Sequence, residues 1–153
     1  MDNIQKITSF EIDHRFLEPG FYISRKDGSI TTYDLRTRKP NSGDYMDNVT
    51  MHTVEHLFAT YIRNSDIKQN VIYFGPMGCQ TGFYLIVDNL DDTLVFETVK
   101  KVLILIKEHK GEVFGASEIE CGNYKTLLLD AATKEAAKYL AILENIKSFQ
   151  YGG

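Results

Sequence analysis

The sequence is poor in the residues that mark several protein classes. It has no tryptophan, three prolines and two cysteines among 153 residues, and its 17 Lys and Arg nearly balance its 21 Asp and Glu, for a net charge of −4. Without a basic excess the chain lacks the surface that binds a phosphate backbone, so we expect no nucleic-acid partner. With two cysteines, Cys79 and Cys121, and no targeting segment, we expect reduced thiols rather than a disulfide framework.

Long hydrophobic runs are also missing. The longest apolar stretch covers residues 102–106, far below the roughly 20 residues of a membrane-spanning helix, and residues 1–6 lack the apolar segment of a signal peptide. We therefore expect no membrane partner and a cytoplasmic location. The 43% hydrophobic content suffices for a packed core, and nothing resembles a linker or a repeat. Residues 1–153 are predicted to form a single domain.

Four short runs have the composition of β-strands. Residues 21–25 and 30–35 are separated by Asp27-Gly28, a dipeptide typical of hairpin turns, so these two runs are predicted to pair antiparallel. Residues 71–74 and 82–87 are apolar runs that flank a glycine-rich segment. They are predicted to be two strands joined by a tight loop.

Three longer segments have helical patterns. Residues 50–65 follow the N-cap oxygens of Asp47, Asn48 and Thr50, residues 93–110 have apolar positions spaced by three and four, and a last helix begins at Asp130. The predicted order is therefore ββαββαα. Paired strands combined with amphipathic helices indicate an α+β fold, in which helices pack on one face of a mostly antiparallel sheet.

The segment His52-Thr-Val-Glu-His56 lies in the first of these helices and has the pattern H-x-x-E-H. Residues i and i+4 lie one above the other on a helix face, so both imidazoles can bind one metal ion, and Glu55 lies beside them as a carboxylate that can transfer protons. The chain has only four histidines. The pattern therefore predicts a metal site rather than two unrelated surface histidines.

Two histidines do not complete a catalytic metal site, which usually has three protein ligands and one open position. Cys121 is the best candidate for the third, because Gly122 allows a turn that projects the thiolate, and sulfur suits Zn2+ or Fe2+. The alternative is a buried structural thiol. Cys79 lies in the glycine-rich segment, and its residue type alone leaves three roles open: metal ligand, nucleophile and acid/base.

Several separated motifs carry a resemblance to a known family. They are Ser9-Phe-Glu-Ile-Asp-His14, Asp34-Leu-Arg36 followed by Lys-Pro-Asn41, His52-Thr-Val-Glu-His56, Gly75-Pro-Met-Gly-Cys-Gln-Thr-Gly-Phe-Tyr84 and Glu120-Cys-Gly-Asn-Tyr124. In this order and spacing, over residues 9–124, they resemble S-ribosylhomocysteine lyases, the LuxS family. The resemblance implies cleavage of S-ribosyl-L-homocysteine to L-homocysteine and 4,5-dihydroxy-2,3-pentanedione, the precursor of the quorum-sensing signal autoinducer-2, within the activated methyl cycle.

The resemblance also implies roles for individual residues. It makes His52, His56 and Cys121 the ligands of one divalent ion per chain, with Fe2+ as the working ion and Zn2+ as another occupant. It makes Glu55 and Cys79 the acid/base pair for carbonyl migration through enediolates and β-elimination.

For the substrate, the resemblance implies that Ser9, His14 and Arg36 make contacts, with Arg36 as the cation near Cys79. It further implies a homodimer with its active sites at the subunit interface. The chain departs from the pattern in two places: Tyr73 stands where many family members have an aspartate, and Phe74-Gly75 replaces a more usual aliphatic-Ser pair.

Two alternatives remain at this stage. A small zinc hydrolase or peptidase of the inverted-motif class also uses H-x-x-E-H, but it normally takes a glutamate as third ligand and needs a long substrate chamber. A non-catalytic metal-binding module would explain the ligands and leave Cys79 and Arg36 without a role.

Overall fold

The sheet has four antiparallel strands in the order β1-β2-β4-β3. The computed structural model describes residues 3–152 of the chain. The strands are β1 (Gly20–Asp27), β2 (Ile30–Arg36), β3 (Val71–Pro76) and β4 (Gly82–Asp88). Gly28 turns between β1 and β2 with φ +61°, a conformation that glycine adopts at little steric cost. Both predicted strand pairs are confirmed.

Three long helices follow the predicted order, and the structure adds shorter ones. The helices are α1 (Thr8–Glu11), α2 (Asn48–Ile62), α3 (Asp92–Lys107) and α4 (Leu129–Leu143), with single 3-10 turns at Lys68–Asn70 and Tyr124–Thr126. The sequence pattern did not predict α1, which has only four residues. No helix within residues 3–152 is long and apolar enough to cross a membrane.

The long helices share one face of the sheet. Leu35 of β2 and Phe83 of β4, which are register partners, line a small internal cavity together with Val54 of α2, Leu103 of α3 and Ala136 of α4. Each of these five side chains is buried. Burial of a Val, Leu or Phe side chain contributes about 1.5–3 kcal/mol to the hydrophobic stabilisation, and burial of the smaller Ala contributes less. The predicted α+β arrangement is confirmed.

The opposite face of the sheet is covered only in part. Thr32 of β2 and Tyr84 of β4 line an open cavity of about 280 Å³ together with Ile7 and Ser9 of the N-terminal segment. Because side chains alternate along a strand, the next even-numbered positions of β2 belong to this same face. We call it the open face, and it carries Asp34 and Arg36.

The register of β2 and β4 brings the loop between β3 and β4 against Arg36. Gly82, at the start of β4, pairs with Arg36, and a Cβ atom at Gly82 would lie 2.7 Å from the carbonyl oxygen of Leu35. A side chain at this position would therefore force the two strands apart. Glycine at the end of the loop keeps Cys79 close to β2.

Candidate active site

Two histidines and one cysteine meet at the side of α2. His52 and His56 are one helical turn apart, with ring centroids 4.6 Å from each other. The Sγ atom of Cys121 lies 3.3 Å from Nε2 of His52, and the ligand atoms of all three residues lie within 4.8 Å of one another. The three side chains that the sequence singled out as metal ligands are therefore brought together.

Hydrogen bonds fix which nitrogen of each ring is free. The hydroxyl of Thr126 donates to the carbonyl of Asn123 at 3.0 Å, so its oxygen accepts from Nδ1 of His52, 2.6 Å away. Nδ1 of His56 donates to the carbonyl of Phe114 at 2.8 Å. Both rings consequently have their lone pair on Nε2, which is the arrangement of metal-binding histidines. The donor set of two imidazoles and one thiol fits Zn2+ or Fe2+.

The local electrostatics favour the neutral form of His52. The pKa of His52 is lowered, first because partial burial penalises the imidazolium and second because His56 lies beside it, with Glu55 acting in the opposite direction. A neutral imidazole is the form that binds a metal ion. The imidazole of His52 can therefore bind a cation without first losing a proton.

Short contacts hold the segment that carries Cys121. Its amide donates to the carbonyl of Ser117 at 3.0 Å, and the amide of Asn123 lies 3.4 Å from its Sγ atom. The amide of Leu128 donates to Oγ1 of Thr53 on α2 at 2.9 Å. The first two contacts shape the turn around the cysteine, and the third fastens the C-terminal end of the segment to the helix that carries the histidines.

Gly115 leaves room for the second histidine. Its φ of +71° is unfavourable for residues with a side chain, and an added Cβ would lie 3.1 Å from Nδ1 of His56. Both the backbone conformation and the close approach to the imidazole require glycine. The carbonyl of Phe114 can therefore reach His56 directly.

Glu55 lies in a cleft beside the metal ligands. The cleft has a volume of about 620 Å³, and Glu55, His56, Gly115 and Glu120 are among the residues that line it. Glu55 is half-buried and is not one of the grouped ligands. Its carboxylate is thus placed next to a metal ligand and open to a small molecule.

A second group of reactive side chains lies on the open face. Nη1 of Arg36 lies 3.8 Å from Sγ of Cys79 and donates to Oγ1 of Thr81 at 2.7 Å, and this same oxygen lies 3.0 Å from the sulfur. Because Arg36 can only donate, the hydroxyl hydrogen of Thr81 remains available to the sulfur of Cys79. Cys79 is exposed, whereas Arg36 is buried.

Burial and charge act in opposite directions on Arg36. Burial alone would lower its pKa, but the negative charge of Asp34, the hydrogen bond to that carboxylate and the charge of Cys79 together raise the pKa. The guanidinium therefore remains charged beside the sulfur of Cys79.

Backbone contacts attach the Cys79 loop to the start of α2. The amide of Met46 donates to the carbonyl of Gln80 at 3.0 Å, and the side-chain amide of Gln80 donates to the carbonyl of Met46 at 2.9 Å. Gln80 has a φ of +66°, which is uncommon for a residue other than glycine. The loop is thus attached at Met46, six residues before His52 in the chain. Within residues 3–152, no hydrogen bond joins Cys79 to the metal ligands.

Comparison with known proteins decides the family. The family model for S-ribosylhomocysteinase (LuxS) matches residues 7–149. The chain belongs to the S-ribosylhomocysteinase (LuxS) family. S-ribosylhomocysteine lyases from Borreliella afzelii, Finegoldia magna and Clostridium acetobutylicum are 45%, 44% and 41% identical to it. Each alignment covers 94% of this chain, and it covers 96%, 95% and 94% of the respective relatives.

Two residues implied by the LuxS resemblance lie in the N-terminal segment. Ser9 lines the open-face cavity with Tyr84, and His14 is half-buried with its Nδ1 2.8 Å from the carbonyl of Ile12. Within residues 3–152, no hydrogen bond links Ser9 or His14 to Cys79 or to the metal ligands. Their roles as substrate contacts remain predictions.

The departure at Tyr73 has a local explanation. Tyr73 and Gly75 are two residues apart in β3 and therefore share a face. A Cβ atom at Gly75 would overlap the ring of Tyr73, so the tyrosine lies over the bare backbone of Gly75. The two replacements in this LuxS-family chain accommodate each other.

Sequence reasoning missed several residues that support the site. Thr126 and Phe114 fix the ring nitrogens of the histidines, and Thr81 contacts Cys79. Two of these contacts come from segments 58 and 74 positions away in the chain, and no local pattern marks them. Thr81 lies in the glycine-rich motif, two residues after Cys79. Of these three contacts, it is the one that closeness in the sequence could have indicated.

Proposed function

We propose that this LuxS-family protein cleaves the thioether of S-ribosyl-L-homocysteine to L-homocysteine and 4,5-dihydroxy-2,3-pentanedione. The match of the family model to residues 7–149, with His52, His56 and Cys121 grouped on one side of α2, is the observation that carries this proposal. The chain is accordingly a carbon-sulfur lyase. The second product gives autoinducer-2, so the reaction joins the activated methyl cycle to quorum sensing.

The metal ligands are His52, His56 and Cys121, holding one divalent ion per chain. We propose Fe2+ as the working ion and Zn2+ as an alternative occupant, since imidazole and thiolate bind both. When bound, the ion supplies Lewis-acid stabilisation of negative charge that develops on a substrate oxygen. The two ring contacts at Thr126 and Phe114 keep Nε2 of each histidine directed to it.

Glu55 and Cys79 transfer the protons. A thioether leaves easily only when a carbonyl is two carbons away, so the sugar carbonyl must move along the carbon chain before β-elimination. Each shift removes a proton from one carbon and returns one to its neighbour, which requires groups that act first as base and then as acid. Arg36 lies 3.8 Å from the sulfur of Cys79 and favours the thiolate that such a base needs.

The substrate contacts are Ser9, His14 and Arg36, and the protein works as a homodimer with active sites at its interface. Exposed apolar side chains support this assembly: Phe10 of the N-terminal segment is 66% exposed, and Ile72 of β3 is 46% exposed. Contiguous apolar surface is what marks a subunit interface, and the proposed assembly would cover these side chains. Both cysteines are free thiols, which suits the reducing cytoplasm that we propose as its location.

Mixed dimers test the interface. Arg36→Ala and Glu55→Gln are each expected to be inactive. If these two residues come from different subunits at each site, mixed dimers regain one intact site and part of the activity. Mass spectrometry confirms that the subunits have exchanged. If activity does not recover after this exchange, both residues belong to the same chain.

A small zinc peptidase is not favoured. Such an enzyme normally has a glutamate as third ligand, whereas the third ligand atom here is the sulfur of Cys121. A metal-binding module without activity would leave the pair Arg36 and Cys79 without a role.

One assay separates these functions. The purified metal-loaded protein is incubated with S-ribosylhomocysteine, and the released thiol is followed with a chromogenic disulfide. We expect release by the unmodified protein and a loss of at least about 10²-fold in Cys79→Ala. A casein substrate serves as the peptidase control. Absence of thiol release at full metal content, or cleavage of casein, would contradict the proposal.

A further inference from the structure

The buried carboxylate of Asp34 joins the C-terminal end of the described chain to the Cys79 pair. Its Oδ2 atom accepts from Nη2 of Arg36 at 2.6 Å and from the hydroxyl of Tyr151 at 2.7 Å. Asp34 is 1% exposed and Arg36 is 3% exposed. Three side chains, the half-buried Tyr151 and the buried Asp34 and Arg36, therefore form a series that ends at the sulfur of Cys79.

Arg36 depends on few contacts for its orientation. Within residues 3–152 its Nε atom has no hydrogen-bond partner, and neither does Oδ1 of Asp34. The planar guanidinium is therefore held by Asp34 through Nη2, while Nη1 faces Thr81 and Cys79. Because the nitrogens of a guanidinium are rigidly connected, rotation at Asp34 would move Nη1 away from the sulfur.

Tyr151 is fixed where it can donate to Asp34. Its ring stacks on Tyr22, with centroids 4.8 Å apart, and the carbonyl of Phe149 accepts from the amide of Ile23 in β1 at 2.8 Å. The pKa of Tyr151 is raised, first by burial and then by the charge of Asp34. The phenol therefore remains protonated, and its O–H donates to the carboxylate.

We propose that Asp34 and Tyr151 are positioning residues for the acid/base Cys79. Asp34 directs the guanidinium of Arg36, and Tyr151 holds Asp34 and draws part of its negative charge away from Cys79. On this proposal the C-terminal segment helps to keep the guanidinium of Arg36 beside the sulfur of Cys79. This inference rests on the proposed role of Cys79, and its test separates the two.

The test compares single hydroxyl deletions. Tyr151→Phe removes the hydrogen bond to Asp34 and keeps the ring. Tyr22→Phe is the matched control, because Tyr22 belongs to the same aromatic stack but its hydroxyl donates to the carbonyl of Glu18. Both are prepared as metal-loaded protein, and urea unfolding checks that they fold. The readout is the rate of Cys79 alkylation by iodoacetamide across pH, resolved from Cys121 by peptide mass spectrometry.

The thiolate is the form that reacts with iodoacetamide. In Tyr151→Phe we expect alkylation near neutral pH to slow by about 2- to 10-fold, the range for loss of one net hydrogen bond, and the pH profile to move upward. In Tyr22→Phe we expect the rate of the unmodified protein. Thiol release from S-ribosylhomocysteine should fall in parallel with alkylation in Tyr151→Phe, at unchanged metal content.

Asp34→Asn provides a test of sign. If Asp34 only cancelled the charge of Arg36, removing its charge would speed alkylation, because the guanidinium would act on Cys79 unopposed. Positioning predicts the opposite, a slower alkylation. Faster alkylation in Asp34→Asn would overturn the positioning role.

Further outcomes distinguish this inference from the proposed function. Unchanged alkylation in Tyr151→Phe overturns the inference. If alkylation is slow in Arg36→Ala in the same experiment, the influence of Arg36 on Cys79, which the proposed function uses, still holds. Equal slowing in Tyr22→Phe would assign the effect to the aromatic stack and also overturn it. If the unmodified protein releases no thiol while alkylation still depends on Tyr151, the proposed function fails and the positioning of Cys79 stands.

Discussion

The hydroxyl oxygen of Thr126 lies 2.6 Å from Nδ1 of His52 and links the cysteine segment to the helix of the metal ligands. The hydroxyl also donates to the carbonyl of Asn123, so the imidazole must donate to it. This single side chain therefore sets the protonated nitrogen of His52 and, through it, the direction of the Nε2 lone pair. Such outer contacts are expected to affect metal affinity.

Thr126→Val is expected to weaken metal binding by about 10- to 100-fold, the range for loss of a partner of a metal-bound histidine. Thr126→Ser is the matched control, because it keeps the hydroxyl and should bind nearly as well as the unmodified protein. Competition with a chromogenic chelator measures both dissociation constants. Equal affinities for the two variants would show that the hydroxyl has no influence on the site.

Cys121→Ala is expected to lose most of its bound metal, since two imidazoles remain of three ligand groups. Cys79→Ala should keep about one ion per chain, because Cys79 does not belong to the grouped ligands. Elemental analysis of the purified proteins gives the metal content directly. Full occupancy in Cys121→Ala would return this cysteine to the role of a structural thiol.

Glu55→Gln keeps the size of the side chain and removes the base. We expect thiol release to fall by at least about 10²-fold, while metal content and fold are retained. Glu120→Gln, which changes another carboxylate of the same cleft, is the control and should remain active. Proton exchange of the substrate in deuterated water, compared between Glu55→Gln and Cys79→Ala, shows whether the two residues act at different steps. Near-normal thiol release by Glu55→Gln would exclude it as the acid/base.

Gly82→Ala is expected to destabilise the protein by about 1–3 kcal/mol, as is typical when a group is forced into a filled space. The added methyl group would meet the backbone of Leu35 and Arg36, which cannot rotate away. Gly78→Ala in the same loop is the control, since nothing lies within 4 Å of its added Cβ. Urea unfolding measures both free energies. Equal values would contradict the close approach of β4 to β2.

Asp47 provides a prediction about pH. Its carboxylate accepts from the amide of Thr50 at the start of α2, and hydrogen bonds from Thr50 lower the pKa of Asp47. A carboxyl group whose pKa is lower in the folded state adds stability at pH values above its pKa in the unfolded chain, about 3.9. This stability is lost as the pH falls through the pKa of the folded state. Asp47→Ala should therefore cost about 1 kcal/mol at neutral pH and less at about pH 3. Urea unfolding at both pH values tests this, and a cost independent of pH would contradict it.

Local patterns predicted the elements that local interactions determine. Asp27-Gly28 indicated the hairpin because a two-residue turn of this kind needs a positive φ, and Gly28 has one. The spacing of His52 and His56 indicated a shared metal ion because helix geometry alone brings them together. Cys121 was added on residue type, and the structure brings it within reach of both histidines.

Contacts between distant segments were not predictable from the sequence. Tyr151 covers Asp34 across 117 positions of chain, and no pattern near either residue indicates the pairing. His109 at the end of α3 also contacts a segment that is distant in the chain. It is half-buried, with Nδ1 2.6 Å from the hydroxyl of Tyr61, because α2 packs beside the end of α3.

The pairing of Arg36 with Gly82 also limits insertions and deletions between β3 and β4. Side chains alternate along β4, so a shift of one residue would move Phe83 from the core to the open face and Tyr84 into the core. A loop that gained or lost one residue would have to keep this register by remaking the turn around Cys79. In comparisons among relatives, a gap within residues 77–81 therefore signals a changed environment for the cysteine even where the cysteine itself is retained.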